Sequence, residues 1–385
     1  MSGGEKITGG LSDQRVINFL LFAVAGMGMV IGMTFPLVTL SLERMNFGAV
    51  LIGLNSATGS LGILLVGLFT GHFLNKHGAF SMMIAACLLS IVSLMLMPLT
   101  GFAAGWFILR FLIALGLGFL WLISEAWLNV LAGNEKRGQI MGLYGMAFSG
   151  GFASGPLLVS IIGSEGWEPF AITAAILLFS VMPMIFLAGT RDTVEEEETG
   201  GHFRILGIGA FIFLVAFAAG MYETTAYALL PVYTLREGLG ESWSLYALSA
   251  LSAGGIVMQY PMGRLADSMG RYALMVAIAL GILLTVIAIP YSIHSYPLLL
   301  VVLFLFGGSI FGLYTLGLIM LGDKFGAGSL VVANSVFIIL YEAGGVFGPT
   351  LAGAAMDVWP HSGFIGFLVV SAIAFAGLTV MRRKN

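Results

Sequence analysis

Residues 71–78 read GHFLNKHG, and residues 263–270 read GRLADSMG, so two similar glycine-bounded stretches recur at an offset of 192 residues. Two more pairs occur in the same order, at offsets of 195 and 193: FPLVTL (35–40) with LPVYTL (230–235), and GFASGPLLVS (151–160) with GGVFGPTLAG (344–353). Three landmarks at nearly one offset predict that the chain consists of two similar halves in tandem.

The composition indicates a membrane protein. The chain has 385 residues, of which 59% are hydrophobic and 9% charged, and its mean hydropathy is +1.02. A soluble domain carries roughly 25% charged residues, so this chain lacks the polar side chains to cover a globule. Its formal net charge of -3, without a basic run, gives no indication of a nucleic-acid partner.

No metal or cofactor is expected. The single cysteine, Cys87, excludes a disulfide within the chain, and the five histidines are dispersed without an HExxH spacing. A phosphate-binding loop of the form GxxxxGK[ST] does not occur either, so ATP is not the expected energy source.

Apolar runs long enough to cross a bilayer, about 20 residues, predict twelve transmembrane helices. They lie at 16–41, 48–74, 79–100, 104–131, 138–163, 167–189, 204–235, 243–265, 271–292, 296–321, 328–356 and 361–381. The predicted fold class is an all-α polytopic membrane protein with two pseudo-symmetric six-helix bundles, 1–189 and 204–385. An acidic cytoplasmic linker, 190–203, joins them. Six helices per half make the repeats parallel, related by an axis along the membrane normal.

The basic residues predict the orientation. With both termini inside, 13 of the 16 Lys and Arg residues are cytoplasmic, Arg44 and Arg236 are outside, and Arg110 lies within a span. This bias satisfies the positive-inside rule. The polar N-terminal stretch does not read as a signal peptide.

The stretch SEAWLN (124–129) places Glu125 near the end of an apolar span. Arg110 lies in the same span, and Glu223 and Glu342 lie in the seventh and eleventh. Ionisable groups are costly in hydrocarbon and usually face a protein interior or a watery cavity. The third, sixth, ninth and twelfth spans carry no charge except at their ends, which fits helices that face lipid.

Helical spacing adds neighbours to these charges. In the fourth span Trp121, Glu125 and Asn129 share one face, whereas Arg110 is about 22 Å away at ~1.5 Å per residue, too far to pair with Glu125. The other candidates for the wall of a cavity are, along the chain, Tyr144, Tyr227, Gln259 and Asn334.

The repeated motifs resemble those of the major facilitator superfamily over essentially the whole chain. Its signature G-x-x-x-D-x-x-G-R matches at Gly263, Asp267, Gly270 and Arg271, while the first copy keeps Gly71 and Gly78 with Asn75 in the acidic position. The Gly-Pro pairs are similar to the motif of proton-exchanging exporters; they are Gly155-Pro156 and Gly348-Pro349.

The resemblance implies a twelve-helix transporter that works by alternating access, and SEAWLN followed by KRG looks like an uncharacterised bacterial branch. It implies a multi-pass protein of the bacterial inner membrane, acting as a monomer. The main hypothesis is a secondary transporter, not an enzyme, that couples a small organic solute to protons, with export favoured. A proton-symport importer and a non-transporting sensor or lipid-handling protein are the alternatives.

Each candidate residue has a structural alternative to a functional role. The three glutamates either carry protons or contact substrate, or they are structural carboxyl groups, since burial favours the neutral acid. Glu125 could also pair with Lys136 or Arg137. Arg110 could be a counter-ion for an acidic substrate or for a coupling carboxylate, or extend towards the interface. Trp121 and Tyr227 stack on substrate or pack within the bundle. Asp267 and Arg271 are predicted to form a conformational latch, with plain topogenic charges as the alternative.

Overall fold

The computed structural model describes residues 13–187 and 202–384, and all regular structure in those ranges is helical. The α-helices are α1 Asp13–Arg44, α2 Ala49–His77, α3 Ala79–Leu96, α4 Ala103–Leu131, α5 Gly133–Ile162, α6 Glu168–Val181, α7 His202–Ile208, α8 Ala210–Arg236, α9 Glu241–Met269, α10 Arg271–Ser292, α11 Tyr296–Lys324, α12 Ala327–Val358 and α13 Gly363–Lys384. Short 3-10 segments extend α3 (Met97–Leu99) and α6 (Met182–Leu187). Most of the predicted acidic linker lies outside the described residues.

The twelve predicted spans are confirmed as helices. Within the described ranges, ten helices are long and apolar enough to cross a membrane, and Glu168–Met184 forms a shorter apolar one. The remaining predicted span, 243–265, corresponds to α9, which is less apolar than the other long helices and is not counted among the ten. The short helix α7 precedes α8, where a single span was predicted. The chain is therefore a multi-pass membrane protein.

The chain divides into two compact units. The first consists of residues 1–37 and 61–197, and the second of residues 38–60 and 198–385. One of the divisions between the units falls between residues 197 and 198, and the predicted bundles 1–189 and 204–385 stay a prediction. In addition, the end of α1 and the first part of α2 belong to the second unit, so that unit contains segments of both sequence halves.

In the first unit, α1 and α5 cross at glycines. A Cβ built on Gly28 would collide with the carbonyl of Phe148, and one on Gly151 would collide with the carbonyl of Ala25. Gly155, of the first Gly-Pro pair, lies against the backbone of Gly32 in the same way. Only glycine permits so close an approach of two helix backbones. In lipid, where the hydrophobic effect does not drive helices together, such close packing stabilises their association.

The second unit repeats this crossing between α8 and α12. Gly220 lies against the carbonyl of Tyr341, and Gly344 against that of Phe217. Each of these four residues stands 192 or 193 positions after its counterpart in the first unit. The internal repeat therefore extends from the sequence to the contacts of its helices.

The two signature loops also share a conformation. Gly78 has φ 74° and ψ 151°, and Gly270 has φ 81° and ψ 142°, each immediately before a helix. This positive φ is readily accessible to glycine alone, which explains why both copies of the motif end on it.

Helix α8 is the most enclosed helix of the second unit. Every residue from Thr224 to Thr234 is buried, and α8 packs against α9, α11 and α12. Pro231 lies inside it, and Pro156 and Pro349 lie inside α5 and α12. Each proline removes one helical hydrogen bond and favours a bend. The polar side chains between Thr224 and Thr234 are therefore enclosed by protein.

Candidate functional site

Two carboxyl groups of the second unit form the first cluster. Glu223 is at the midpoint of α8, and Glu342 is at the midpoint of α12. The two groups are close enough to interact electrostatically. Glu342 is 7% exposed, whereas Glu223 is partly exposed. The structure thus brings together two of the three glutamates that the sequence singled out, halfway along their helices.

Hydroxyl groups surround this pair. Tyr341 donates a hydrogen bond to Glu223, and Ser60 donates one to Glu342. The ring of Tyr314 packs edge-on against Tyr341 at 5.3 Å between ring centres. Hydroxyl groups can donate a hydrogen bond to a carboxyl group in either of its protonation states.

Tyr227, one turn beyond Glu223, is buried with 1% of its surface exposed. Its hydroxyl lies 2.9 Å from that of Ser252 on α9. Tyr227, predicted as a residue of the cavity wall, is thus held by a hydrogen bond to a neighbouring helix and packed in the core.

Two predicted cavity residues of the second unit are more exposed than Glu342. Gln259 on α9 is partly exposed, and Asn334 on α12 is exposed. In the described part of the chain, no recorded hydrogen bond joins either amide to Glu223 or Glu342.

The first unit has a second polar cluster on α4 and α5. Tyr144 donates a 2.9 Å hydrogen bond to the Oε2 atom of Glu125, and the indole of Trp121 donates to the Tyr144 hydroxyl. Asn129 donates to the backbone carbonyl of Glu125 at 3.2 Å. All four side chains are partly exposed. The predicted stripe on the fourth span is joined here by Tyr144.

The alternative pairing of Glu125 with Lys136 or Arg137 falls on side chains outside the described part of the structure. The carboxyl group of Glu125 instead has Tyr144 as a neighbour on α5.

Arg110 has a different environment. It is 6% exposed, and its guanidinium lies over the ring of Phe35 at 4.7 Å from the ring centre. Its Nε atom is buried without a hydrogen-bond partner. The side chain is therefore enclosed by protein, and its role, as a counter-ion or as a group that extends towards the interface, stays a prediction.

The predicted latch residues contact one another. Arg271 pairs with Asp267 at 3.0 Å and with Asp323 of α11 at 2.9 Å. It also donates to the backbone carbonyl of Ala266. Asp323 was not predicted, because its position beside Arg271 depends on how α11 packs. The role of this network as a latch stays a prediction.

A further ion-pair network joins segments of both sequence halves within the second unit. Arg236 forms two hydrogen bonds with Glu43, of 2.7 and 2.8 Å, and Arg44 pairs with Glu241 at 3.0 Å. Asp357 accepts hydrogen bonds from the first backbone N–H groups of α2, at Ala49 and Val50. These residues border the loops that the positive-inside rule places outside the membrane.

Sequence reasoning missed several of these neighbours. They are Phe35, Glu43, Ser60, Phe148, Tyr341 and Asp357. One signal was available: Phe148 and Tyr341 are repeat equivalents, and each precedes a Gly-Pro pair by the same interval. Among the residues described, no group of three or more His, Cys, Asp or Glu side chains could hold a metal ion.

Apolar helices in two repeats, with ionisable groups inside, are typical of polytopic membrane transporters. The sequence profile described as Major Facilitator Superfamily matches residues 19–337 and 212–385. The chain belongs to this superfamily, which is a family of transporters and not of enzymes. The resemblance noted in the sequence is confirmed.

Curated relatives match over nearly the whole chain. The uncharacterised MFS-type transporter YfkF of Bacillus subtilis is 26% identical, with 92% of each chain covered. The uncharacterised MFS-type transporter YcaD of Salmonella dublin is 25% identical, with 96% of each covered.

Solved structures confirm the fold. The nucleoside transporter NupG aligns with a TM-score of 0.79 at 10% identity, covering 97% of this chain and 99% of that one. A bacterial homologue of the human lysosomal transporter Spinster, in an inward-facing and occupied conformation, aligns with a TM-score of 0.78 at 12% identity, covering 98% of each. At these identities the likeness concerns the fold alone.

Proposed function

We propose that this protein moves a small organic solute across the membrane by proton-coupled alternating access, and that Glu223 and Glu342 carry the coupling proton. The observation that carries the proposal is the placement of two interacting carboxyl groups at the midpoints of α8 and α12. Secondary transporters bind their substrates and coupling ions near the bilayer midplane.

The chemistry of the pair supports proton binding. Desolvation favours the neutral acid, and two interacting acids take up protons as a pair rather than independently. Tyr341 and Ser60 offer hydrogen bonds that stabilise the ionised forms.

The two acids occur in only one of the two repeats. In the first sequence half, the positions that correspond to Glu223 and Glu342 are occupied by Ile31 and Ser149. A single acidic cluster on one repeat suits a carrier that binds protons at one place. The hydroxyl network around Glu125 in the first unit supports a secondary role for that acid.

We also propose a membrane location, an oligomeric state and a direction of transport. The distribution of Lys and Arg favours cytoplasmic termini and a bacterial inner membrane, and we propose a monomer as the functional unit. The Gly-Pro motif on α5 favours export in exchange for protons. Symport of a metabolite into the cell is the alternative, and the sign of solute-driven proton movement distinguishes the two.

The test is solute-dependent proton movement in proteoliposomes that contain a trapped pH dye. The solute panel includes nucleosides, sugars, amino acids, organic acids and lipophilic cations. We expect one class to produce proton movement with the wild type. Glu223→Gln and Glu342→Gln should each abolish that movement, and Glu168→Gln, at an exposed helix start, should retain it.

Two results would contradict the proposal. Full proton movement in both glutamine variants would remove the pair from the coupling mechanism. Absence of solute and proton movement across the panel would favour the non-transporting alternative.

A further inference from the structure

Arg110 is a buried cation that forms no ion pair within the described ranges, 13–187 and 202–384. Of the ion pairs recorded in the described part of the chain, none includes Arg110, and its Nε atom has no hydrogen-bond partner. Its one recorded contact of electrostatic character is with the face of Phe35. A ring face compensates only part of the hydration that a buried guanidinium loses. The arrangement therefore points to a ligand that supplies the missing negative charge.

Four aromatic rings extend from this guanidinium through the first unit. We call them the aromatic column; they are Phe35, Phe152, Phe148 and Trp121. Phe35 meets Phe152 edge-on at 6.4 Å between ring centres. Phe152 is stacked with Phe148 at 6.2 Å, and Phe148 with Trp121 at 5.3 Å. The column joins α1, α5 and α4.

The column is not a closed hydrophobic core. Phe35, Phe148 and Trp121 are each partly exposed, and only Phe152 counts as buried. Two of the three ring pairs are nearly parallel, with interplanar angles of 15° and 16°. A partly exposed stack of parallel rings offers flat surface and edges against which another planar ring can pack.

The two ends of the column differ in charge. Arg110 is at one end, and Trp121 at the other end leads through Tyr144 to Glu125. A negative group on a ligand is attracted to the arginine end, whereas the carboxyl group of Glu125 offers it no attraction at the other end. The charges thus favour one orientation and disfavour a ligand with anionic groups at both ends.

We propose that the first unit binds an organic monoanion with a planar aromatic body, its acidic group on Arg110 and its ring on the aromatic column. This inference names the substrate class of the proposed transporter and rests on that proposed function. It assigns the solute to the first unit and the proton to Glu223 and Glu342 in the second, so that the two ligands have separate binding groups.

The experiment is calorimetric titration of the purified full chain in detergent with 1-naphthoate. Two probes each lack one feature: 1-naphthalenemethanol lacks the charge, and cyclohexanecarboxylate lacks the aromatic ring. We expect 1-naphthoate to bind at least about tenfold more tightly than either, since a charge-assisted hydrogen bond is roughly twice as strong as a neutral one.

Arg110→Gln should weaken 1-naphthoate binding by at least about tenfold and leave 1-naphthalenemethanol binding unchanged. The matched control is Arg264→Gln, because Arg264 also lies over a ring, that of Tyr260 at 5.0 Å, but in the second unit. It should bind all three probes like the wild type. Phe148→Leu should weaken both naphthalene probes and leave cyclohexanecarboxylate unchanged.

The proposal is overturned if 1-naphthoate binds no more tightly than the alcohol, or if Arg110→Gln retains wild-type affinity. Should Arg110→Gln fail to fold, the comparison of probes on the wild type and on Phe148→Leu decides alone. Binding requires no proton gradient. Tight 1-naphthoate binding by a wild type that moves no protons would therefore leave this inference standing and count against the proposed function alone.

Discussion

Replacing Gly344 by alanine should destabilise the second unit through the helix crossing of α8 and α12. The added Cβ would lie 2.7 Å from the backbone nitrogen of Met221 and 2.9 Å from the carbonyl carbon of Phe217, and it would collide with the oxygen of that carbonyl. Ordinary contacts of a Cβ begin at 3.4 Å, so the two backbones must separate by roughly an ångström. No flexible side chain can move aside in their place.

The cost follows from that separation. Overpacking of a close interface costs about 1–3 kcal/mol, and a widened crossing also loses dispersion contacts along its length. A loss of about 2 kcal/mol corresponds to a fall of about 4–8 °C in Tm for a unit of this size. Thermal unfolding of the purified protein in detergent, followed by circular dichroism, measures it.

The repeat supplies a second test position and the chain supplies a control. Gly151→Ala should lower Tm by a similar amount, because its Cβ would meet the backbone of Ala25 and Met29 in the same way. Gly366→Ala, in α13 with no heavy atom within 4 Å of the new Cβ, should leave Tm unchanged or raise it slightly through helix propensity. If Gly344→Ala unfolds at the temperature of Gly366→Ala, the close crossing does not exist.

Three further changes test the polar networks. Glu43→Gln and Arg236→Gln should each lower Tm, because each breaks an ion pair with two hydrogen bonds. The double variant should lower Tm by less than the sum of the two losses, with a coupling free energy of about 1 kcal/mol. Additive losses would contradict the pairing. Asp323→Asn should slow transport by at least about twofold. It should lower Tm by no more than about 2 °C, since exposed ion pairs contribute little to stability. Unchanged transport would show that Asp323 takes no part in a conformational latch. Tyr144→Phe removes the hydroxyl between Trp121 and Glu125 and should shift the indole emission maximum; an unchanged spectrum would contradict that hydrogen bond.

The helices and the repeat could be predicted from the sequence because both depend on local features. A bilayer demands about 20 apolar residues per span, and the glycines that allow close crossing recur at one offset. The extra helix α7 and the earlier start of α5 at Gly133 could not be predicted this way, since helices continue beyond the apolar core without a change in composition.

The candidate site was predicted only in part. Charge in an apolar span identified Glu125, Glu223, Glu342 and Arg110, because burial of charge is costly wherever the helix packs. Their neighbours depend on the packing of distant helices. Ser60 beside Glu342 and Asp323 beside Arg271 are such cases, and nothing local to either residue indicates its partner.

Substrate counterflow compared with gradient-driven accumulation tests the coupling role of Glu223 and Glu342 most directly. Both are measured in the same proteoliposomes with the solute that moves protons in the panel. The double variant Glu223→Gln, Glu342→Gln should exchange labelled for unlabelled solute at a rate close to that of the wild type, and should accumulate none against a concentration gradient when a pH gradient is imposed. Accumulation equal to that of the wild type would show that the proton travels elsewhere.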